Sequence, residues 1–220
     1  MDAKITLTMK SCTYTIEPRE EERFPSLTSP PLLKSNHGVF LCRTAVFIDG
    51  GNLYRRLKDL NIKSTGKFDY MGLIRSLANN DRLVYVGYYV GQVKIEREND
   101  KSTELHANQQ RLFASLEKSI PNIKIVKGRI QNFKGLYKEK GVDVRLALDI
   151  YRLANENLYD KALIISSDSD LIPAIELVKT MENKTVEYIG FSNRSSIELM
   201  RKCHSKQILD YSYLKQFEYC

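Results

Sequence analysis

Three groups of acidic residues stand where a carboxylate could do chemistry. Asp49 closes the apolar run Ala45–Ile48 and is followed by Gly50, Gly51 and Asn52. Asp168 and Asp170 follow the run Ala162–Ser166, in the order Ser166-Ser167-Asp168-Ser169-Asp170. Asp143 lies in Lys140-Gly141-Val142-Asp143, at the start of a segment with helical period. In open α/β sheets ligands bind beyond the carboxyl ends of the strands, where the strand order reverses, so acids directly after strands weigh more than acids elsewhere. Several carboxylates without an interleaved His or Cys make a hard-oxygen donor set, suited to Mg2+ or Mn2+ and poorly suited to zinc. A divalent cation would relieve their mutual repulsion, activate water and hold both oxygens of an in-line phosphodiester displacement. Asp49, Asp143, Asp168 and Asp170 are therefore the candidate metal ligands and catalytic residues.

Charge supplies a second cue. The chain carries 34 Lys and Arg against 27 Asp and Glu, a net charge of +7. Such a balance suits a polyanionic partner without establishing one. The excess is local: between Lys124 and Lys140 the basic residues Lys124, Lys127, Arg129, Lys134, Lys138 and Lys140 are opposed only by Glu139. Lys134, Lys138 and Lys140, with Phe133 and Tyr137 interleaved, lead directly into Asp143. Cations for phosphates and rings for bases are what a single nucleic-acid strand requires, so these three lysines are candidate substrate-binding residues. An ordinary solvated hairpin is the competing reading of the same stripe.

The elements that must position these groups follow from hydrophobic period. Short β-branched or aromatic runs at Ala45–Ile48, Leu83–Val90, Ile123–Val126, Ala162–Ser166 and Thr185–Ile189 predict five strands, with a sixth short one at Gln207–Leu209. Helical segments alternate with them: Asn52–Leu60 and Tyr70–Ala78, a face of Leu105, Leu112 and Leu116, a face of Leu146, Ile150 and Leu153, and Leu171–Met181. Such alternation predicts an α/β fold, a doubly wound, mainly parallel sheet of five or six strands between helical layers. With the first strand between the second and the fourth, Asp49 and the Asp168–Asp170 pair meet at the switch point. Pro173 would sit in the first turn of a helix capped by Asp170. Ser195 and Glu198 have the spacing of a capping box for a further helix. The segment between Gly128 and Gly141 reads as a hairpin turning at Asn132–Gly135.

Residues 1–42 differ in kind. Four of the six prolines fall there, beside the charge run Glu17–Arg23, which predicts an appendage or linker, with edge strands at Ile5, Leu7, Met9 and at Tyr14, Ile16 as the alternative. The expected organisation is this appendage, a domain over 43–210 and a tail over 211–220. No apolar run approaches the ~20 residues of a membrane helix, so no membrane partner is expected. The first residues lack a signal-peptide core, and the four cysteines show no paired spacing. A reduced, cytoplasmic setting is the expectation.

Taken together, Phe47-Ile48-Asp49-Gly50-Gly51-Asn52, then Lys140-Gly141-Val142-Asp143-Val144 with Leu146-Ala147-Leu148-Asp149, then Ser166-Ser167-Asp168-Ser169-Asp170-Leu171-Ile172-Pro173 resemble the signature blocks of the NYN domain family, LabA-like branch, within the PIN-like superfamily. The resemblance spans Arg43 to Leu209. It implies a PIN-like three-layer α/β/α fold and metal-dependent endoribonuclease activity; with the converging acids, single-stranded RNA is the expected substrate. Position by position, Asp49, Asp143, Asp168 and Asp170 match the family's acidic cluster, and Asn52 and Ser166 match its polar, substrate-binding positions. Ser167 and Asn183 depart from it, each standing where the family commonly has Gly. A homodimer is compatible with these residues.

Other readings are weaker or remain open. Asp149 lies six residues beyond Asp143, about 240° around a helix, and is expected to be a structural partner. A phosphoryl-transfer domain with a D-x-D pair after its first strand would need an acid where Gly51 stands, and Gly50-Gly51 lacks the rest of a dinucleotide fingerprint. His37, His106 and His204 are isolated, which argues against a zinc centre. An RNA-binding or regulatory module that keeps the fold without turnover remains the alternative function.

Overall fold

The computed structural model describes residues 42–63, 67–93, 100–133 and 136–219, together with two strands near the N-terminus. The chain divides into two compact units, Met1–Val39 and Phe40–Cys220. In the first, β1 (Ile5–Met9) and β2 (Cys12–Ile16) pair antiparallel, with Ile5 opposite Ile16 and Met9 opposite Cys12.

The second unit is built on seven strands: β3 (Arg43–Asp49), β4 (Arg82–Gln92), β5 (Lys124–Phe133), β6 (Leu136–Lys140), β7 (Lys161–Ile165), β8 (Thr185–Phe191) and β9 (Ser205–Leu209). Their order is β6-β5-β4-β3-β7-β8-β9. Six are parallel, and only the edge strand β6 runs antiparallel, against β5. The doubly wound reading therefore holds, with one strand more than expected. The hairpin is part of the sheet: β5 continues past Val126 to Phe133, and Phe133 pairs with Leu136.

Strand β3 shows why the chain needs two helical layers. Ala45, Val46, Phe47 and Ile48 are all buried, because alternate side chains point to opposite faces and both faces are covered. Val46 and Ile48 join one core with Leu53 and Leu57 of α1 (Gly50–Asp59), Leu73 and Ile74 of α2 (Tyr70–Ala78) and Leu116 of α3 (Asp100–Ser119). Ala45 and Phe47 join the other, with Leu146 and Ile150 of α4 (Val142–Asn155), Ile175 of α5 (Ile172–Thr180) and Leu199 of α6 (Ile197–Lys202). This is the three-layer α/β/α architecture. After Asp210 the chain forms α7 (Tyr211–Lys215), whose Leu214 is fully buried against the first core, while Glu218 bridges to Phe68.

Local signals mostly fell where expected, with two shifts. The cap of α6 is Ser196, one residue later than the capping-box spacing suggests, and it accepts from the Leu199 amide. The turn before α5 is capped by Asp168, not Asp170: its carboxylate accepts from the Asp170 amide at the start of a 3-10 turn, Ser169–Leu171. Pro173 follows in the first turn of α5, where the missing N–H is harmless. Among the described residues every non-glycine with positive φ is an asparagine, Asn183 (φ 51°) before β8 included, the side chain that best tolerates the left-handed region.

Candidate active site

Strands β3 and β7 are neighbours in register, Ile48 opposite Ile165, so the residues that follow each strand emerge side by side. Asp49 ends β3 and caps α1, its Oδ1 accepting from the Asn52 amide at 2.9 Å. Ser166, fully buried after β7, donates its hydroxyl to Asp49 Oδ2 at 2.9 Å. The Ser166 Oγ in turn accepts from the Asp168 amide at 3.1 Å, and Asp168 Oδ1 accepts from the Asp170 amide at 3.0 Å. Two strand ends are thus tied into one hydrogen-bonded path from Asp49 to Asp170.

Asp143 comes from a third element. Gly141, at φ 79°, caps α4 in the left-handed region, a conformation that favours glycine, and puts Asp143 in the first helical turn where the helix dipole favours an anion. Gly128 on β5 lets that turn come close, since a Cβ there would overlap the Val142 side chain. Burial of its surroundings pushes the Asp143 carboxyl up, and the negative charges of Asp49, Asp168 and Asp170 push it further, against a smaller opposing effect of Arg55. Asp49 is raised as well, by burial first; the Asn52 amide, the Ser166 hydroxyl and Arg55 counter that, and Asp168 adds to it. All four acids lie close enough to interact. Among the described residues, however, no three acidic, His or Cys side chains already stand at metal-holding spacing.

Asn52 is 7% exposed, and its Oδ1 has no hydrogen-bond partner. Ser167 donates to the Arg194 carbonyl at 2.9 Å, so its side chain is tied to the loop after β8. Arg55, exposed on α1, is a site neighbour that the sequence reading missed; the available signal was its spacing, three residues after Asn52 on one helix.

The basic stripe is divided. Lys140 is exposed at the end of β6, paired with Arg129. Lys127 lies over the Phe113 ring of α3, 4.9 Å from its centroid, which engages it on the α3 side of the sheet. Beyond Arg129, the last residue paired with β4, the hairpin projects past the sheet's carboxyl edge, where the acids are. Lys134 and the side chains of Lys138, Phe133 and Tyr137 lie outside the described residues. Asp149, as its helix phase requires, is elsewhere: it accepts from the Tyr89 hydroxyl and pairs with Arg145 and Arg152. His204 accepts from the Val186 amide, a structural role.

Three comparisons bear on this geometry. The NYN domain family matches residues 43–210. No functionally curated protein matches in sequence. Among solved structures, the crystal structure of a protein of unknown function from Vibrio parahaemolyticus is similar, with a TM-score of 0.59 and 19% identity over 80% of this chain and 96% of the other. At that identity the likeness concerns the fold alone.

Proposed function

The chain belongs to the NYN domain family, and from that premise we propose that it is a metal-dependent endoribonuclease that cleaves phosphodiester bonds of single-stranded RNA at Asp49, Asp143, Asp168 and Asp170. The family itself points to nuclease-like, RNA-related work. The observation that carries the finer reading is the convergence of acids from two adjacent strand ends and one helix N-terminus on a single edge.

Mg2+ or Mn2+ fits the donor set. The four carboxylates and the unpartnered Oδ1 of Asn52 are all hard oxygens. Asp49, Asp143 and Asp168 would be the principal ligands, with Asp170 assisting. When bound, such a cation neutralises charge and activates water for an in-line displacement. The remaining work falls to the chain. The Asn52 amide and Ser166 hydroxyl fix both oxygens of Asp49, so its carboxylate is oriented before any ligand arrives. Asp143 and Asp170 accept no hydrogen bond among the described residues, which leaves their oxygens available to a cation or to a released proton. Lys140, with Lys134 and Lys138 of the hairpin, would track the RNA backbone without reading bases.

All four acids come from one chain, so a homodimer is not needed to complete the cluster. We place the protein in the cytoplasm and in the LabA-like branch: the four cysteines show no paired spacing, as suits a reducing compartment, and the three sequence blocks support the branch. Among the described residues no helix is long and apolar enough to cross a membrane.

The test is incubation of the purified protein with mixed-sequence single-stranded RNA and DNA in manganese, magnesium or excess chelator. Internal cleavage of RNA with either metal and none with chelator is expected. Intact RNA under every condition, with binding retained, would support the binding-only alternative.

A further inference from the structure

We propose that Arg55 is a substrate-positioning residue of this edge, its guanidinium holding a phosphodiester of the RNA strand against the acidic cluster. The inference rests on the nuclease reading above and deepens it.

Helix α1 begins at Asp49 and buries Asn52, Leu53, Arg56 and Leu57, while Arg55 is exposed beside that buried face. Side chains on a helix lean toward its N-terminus, so Arg55, three residues past Asn52, leans back toward the end that carries the acids. Its positive charge is felt by both Asp49 and Asp143, which belong to different elements. Yet it forms no ion pair among the described residues. Other arginines of this chain do pair: Arg43 with Asp160, Arg56 with Asp59, and Arg145 and Arg152 with Asp149.

An arginine whose charge reaches Asp49 and Asp143 and that pairs with neither keeps its five donors for something else. The chemistry that suits a planar fork of donors is an oxyanion with two equivalent oxygens, such as a phosphodiester. An RNA strand brought to this edge meets negative charge, which opposes its approach. A fixed cation within the cluster's own field offsets part of that repulsion and sets where the phosphate stops. The buried, unpartnered Asn52 Oδ1, one turn back on the same helix, is a second sign that protein contacts alone do not complete this end of α1.

The experiment compares wild type, Arg55→Ala and Arg55→Lys in two readouts: binding of a fluorescent single-stranded RNA in calcium, and its cleavage in manganese. Arg55→Ala should bind about 10-fold more weakly, as loss of a charge-assisted contact implies. The slope of log K against log salt should flatten by about 0.7, one phosphate on a single strand. Its turnover should fall by about 100-fold. Arg55→Lys should recover binding more than turnover, because an ammonium lacks the planar fork. Millimolar guanidinium should restore part of the turnover of Arg55→Ala and none of that of Asp49→Asn. Wild-type affinity and rate in Arg55→Ala would overturn the proposal and leave the nuclease reading intact. Absence of cleavage by wild type in every metal would overturn the nuclease reading instead, and Arg55 is then judged by binding alone, where an unchanged affinity and slope overturn it. Should Arg55→Ala fail to fold, Arg55→Lys decides: its turnover at the wild-type level overturns the role assigned to the guanidinium.

Discussion

Asp49 and Asp149 are almost equally buried, 5% and 4% exposed, but their surroundings are opposite. Asp149 sits in the middle of α4 with the Tyr89 hydroxyl 3.1 Å from Oδ2, Arg145 Nε at 3.4 Å and Arg152 Nε 3.5 Å from Oδ1. Its charge is met by two cations and a hydroxyl. Asp49 is held only by neutral donors, one amide and one hydroxyl, and three further acids share its edge. Burying a carboxylate without a cation is costly, and crowding it with like charge costs more. A fold that compensates one aspartate with cations and leaves the other in surplus negative charge supports the proposed role of the second as a cation ligand.

The largest effect on stability is expected at the compensated site. Asp149→Ala leaves the Tyr89 hydroxyl with only the Tyr85 hydroxyl as partner and removes the carboxylate that Arg145 and Arg152 share, so it should lower the unfolding free energy by about 3 kcal/mol, the upper end for a lost buried hydrogen-bonded partner. Denaturant titration reads this as a lower midpoint at unchanged slope. A midpoint equal to that of wild type would mean that Asp149 is not the structural anchor its contacts imply.

Manganese should act at the other site. Wild type should gain up to about 2.7 kcal/mol of stability at a hundredfold excess over the dissociation constant, and Asp149→Ala should gain as much from its lower base. Asp49→Asn should gain clearly less. Equal shifts in wild type and Asp49→Asn would put the ions elsewhere.

The smallest effect is the pH dependence without metal. Asp49 and Asp143 are raised in the folded state, so the native protein holds protons that the unfolded chain releases, and stability falls as pH rises through the raised values. The penalty is absent below the ordinary aspartate range near ~4. Asp49→Asn should therefore melt above wild type at neutral pH, and the gap should close as pH falls toward that range. Asp160, lowered by Arg43, works in the opposite direction but is common to both proteins and cancels in the difference. A gap that widens on acidification would contradict the sign.

Much of this was legible in the sequence because it rests on period and position. An acid directly after a buried β-branched run is at a strand's carboxyl end, and the alternation of strands and helices predicts a parallel sheet; the order with the first predicted strand between the second and the fourth is the one found, β4-β3-β7. Helix phase alone separates Asp149 from Asp143. What was not legible depends on contacts. Nothing local distinguishes Ser195 from Ser196 as a cap, since only the chain's path after β8 decides which hydroxyl meets the Leu199 amide. The five residues of α7 are too few for a helical period, and Leu214 is recruited by the core, not by its own segment. Ser166 was placed by resemblance, but its use as a bridge between Asp49 and the Asp168 amide appears only when two strands distant in sequence lie together. Arg55 is silent in the sequence for the same reason: a lone arginine on an exposed helix face acquires meaning only from the acids that other elements bring near.

The central claim is that surplus negative charge at Asp49, and not burial of a carboxylate as such, makes the cleaving site. Single-turnover cleavage of single-stranded RNA in manganese, measured for wild type, Asp49→Asn and Asp149→Asn and scaled to the folded fraction of each, tests it most directly. The account predicts a loss of at least about 100-fold for Asp49→Asn, as expected when a metal is misplaced, and a rate near that of wild type for the folded part of Asp149→Asn. Undiminished cleavage by a folded Asp49→Asn protein would contradict it.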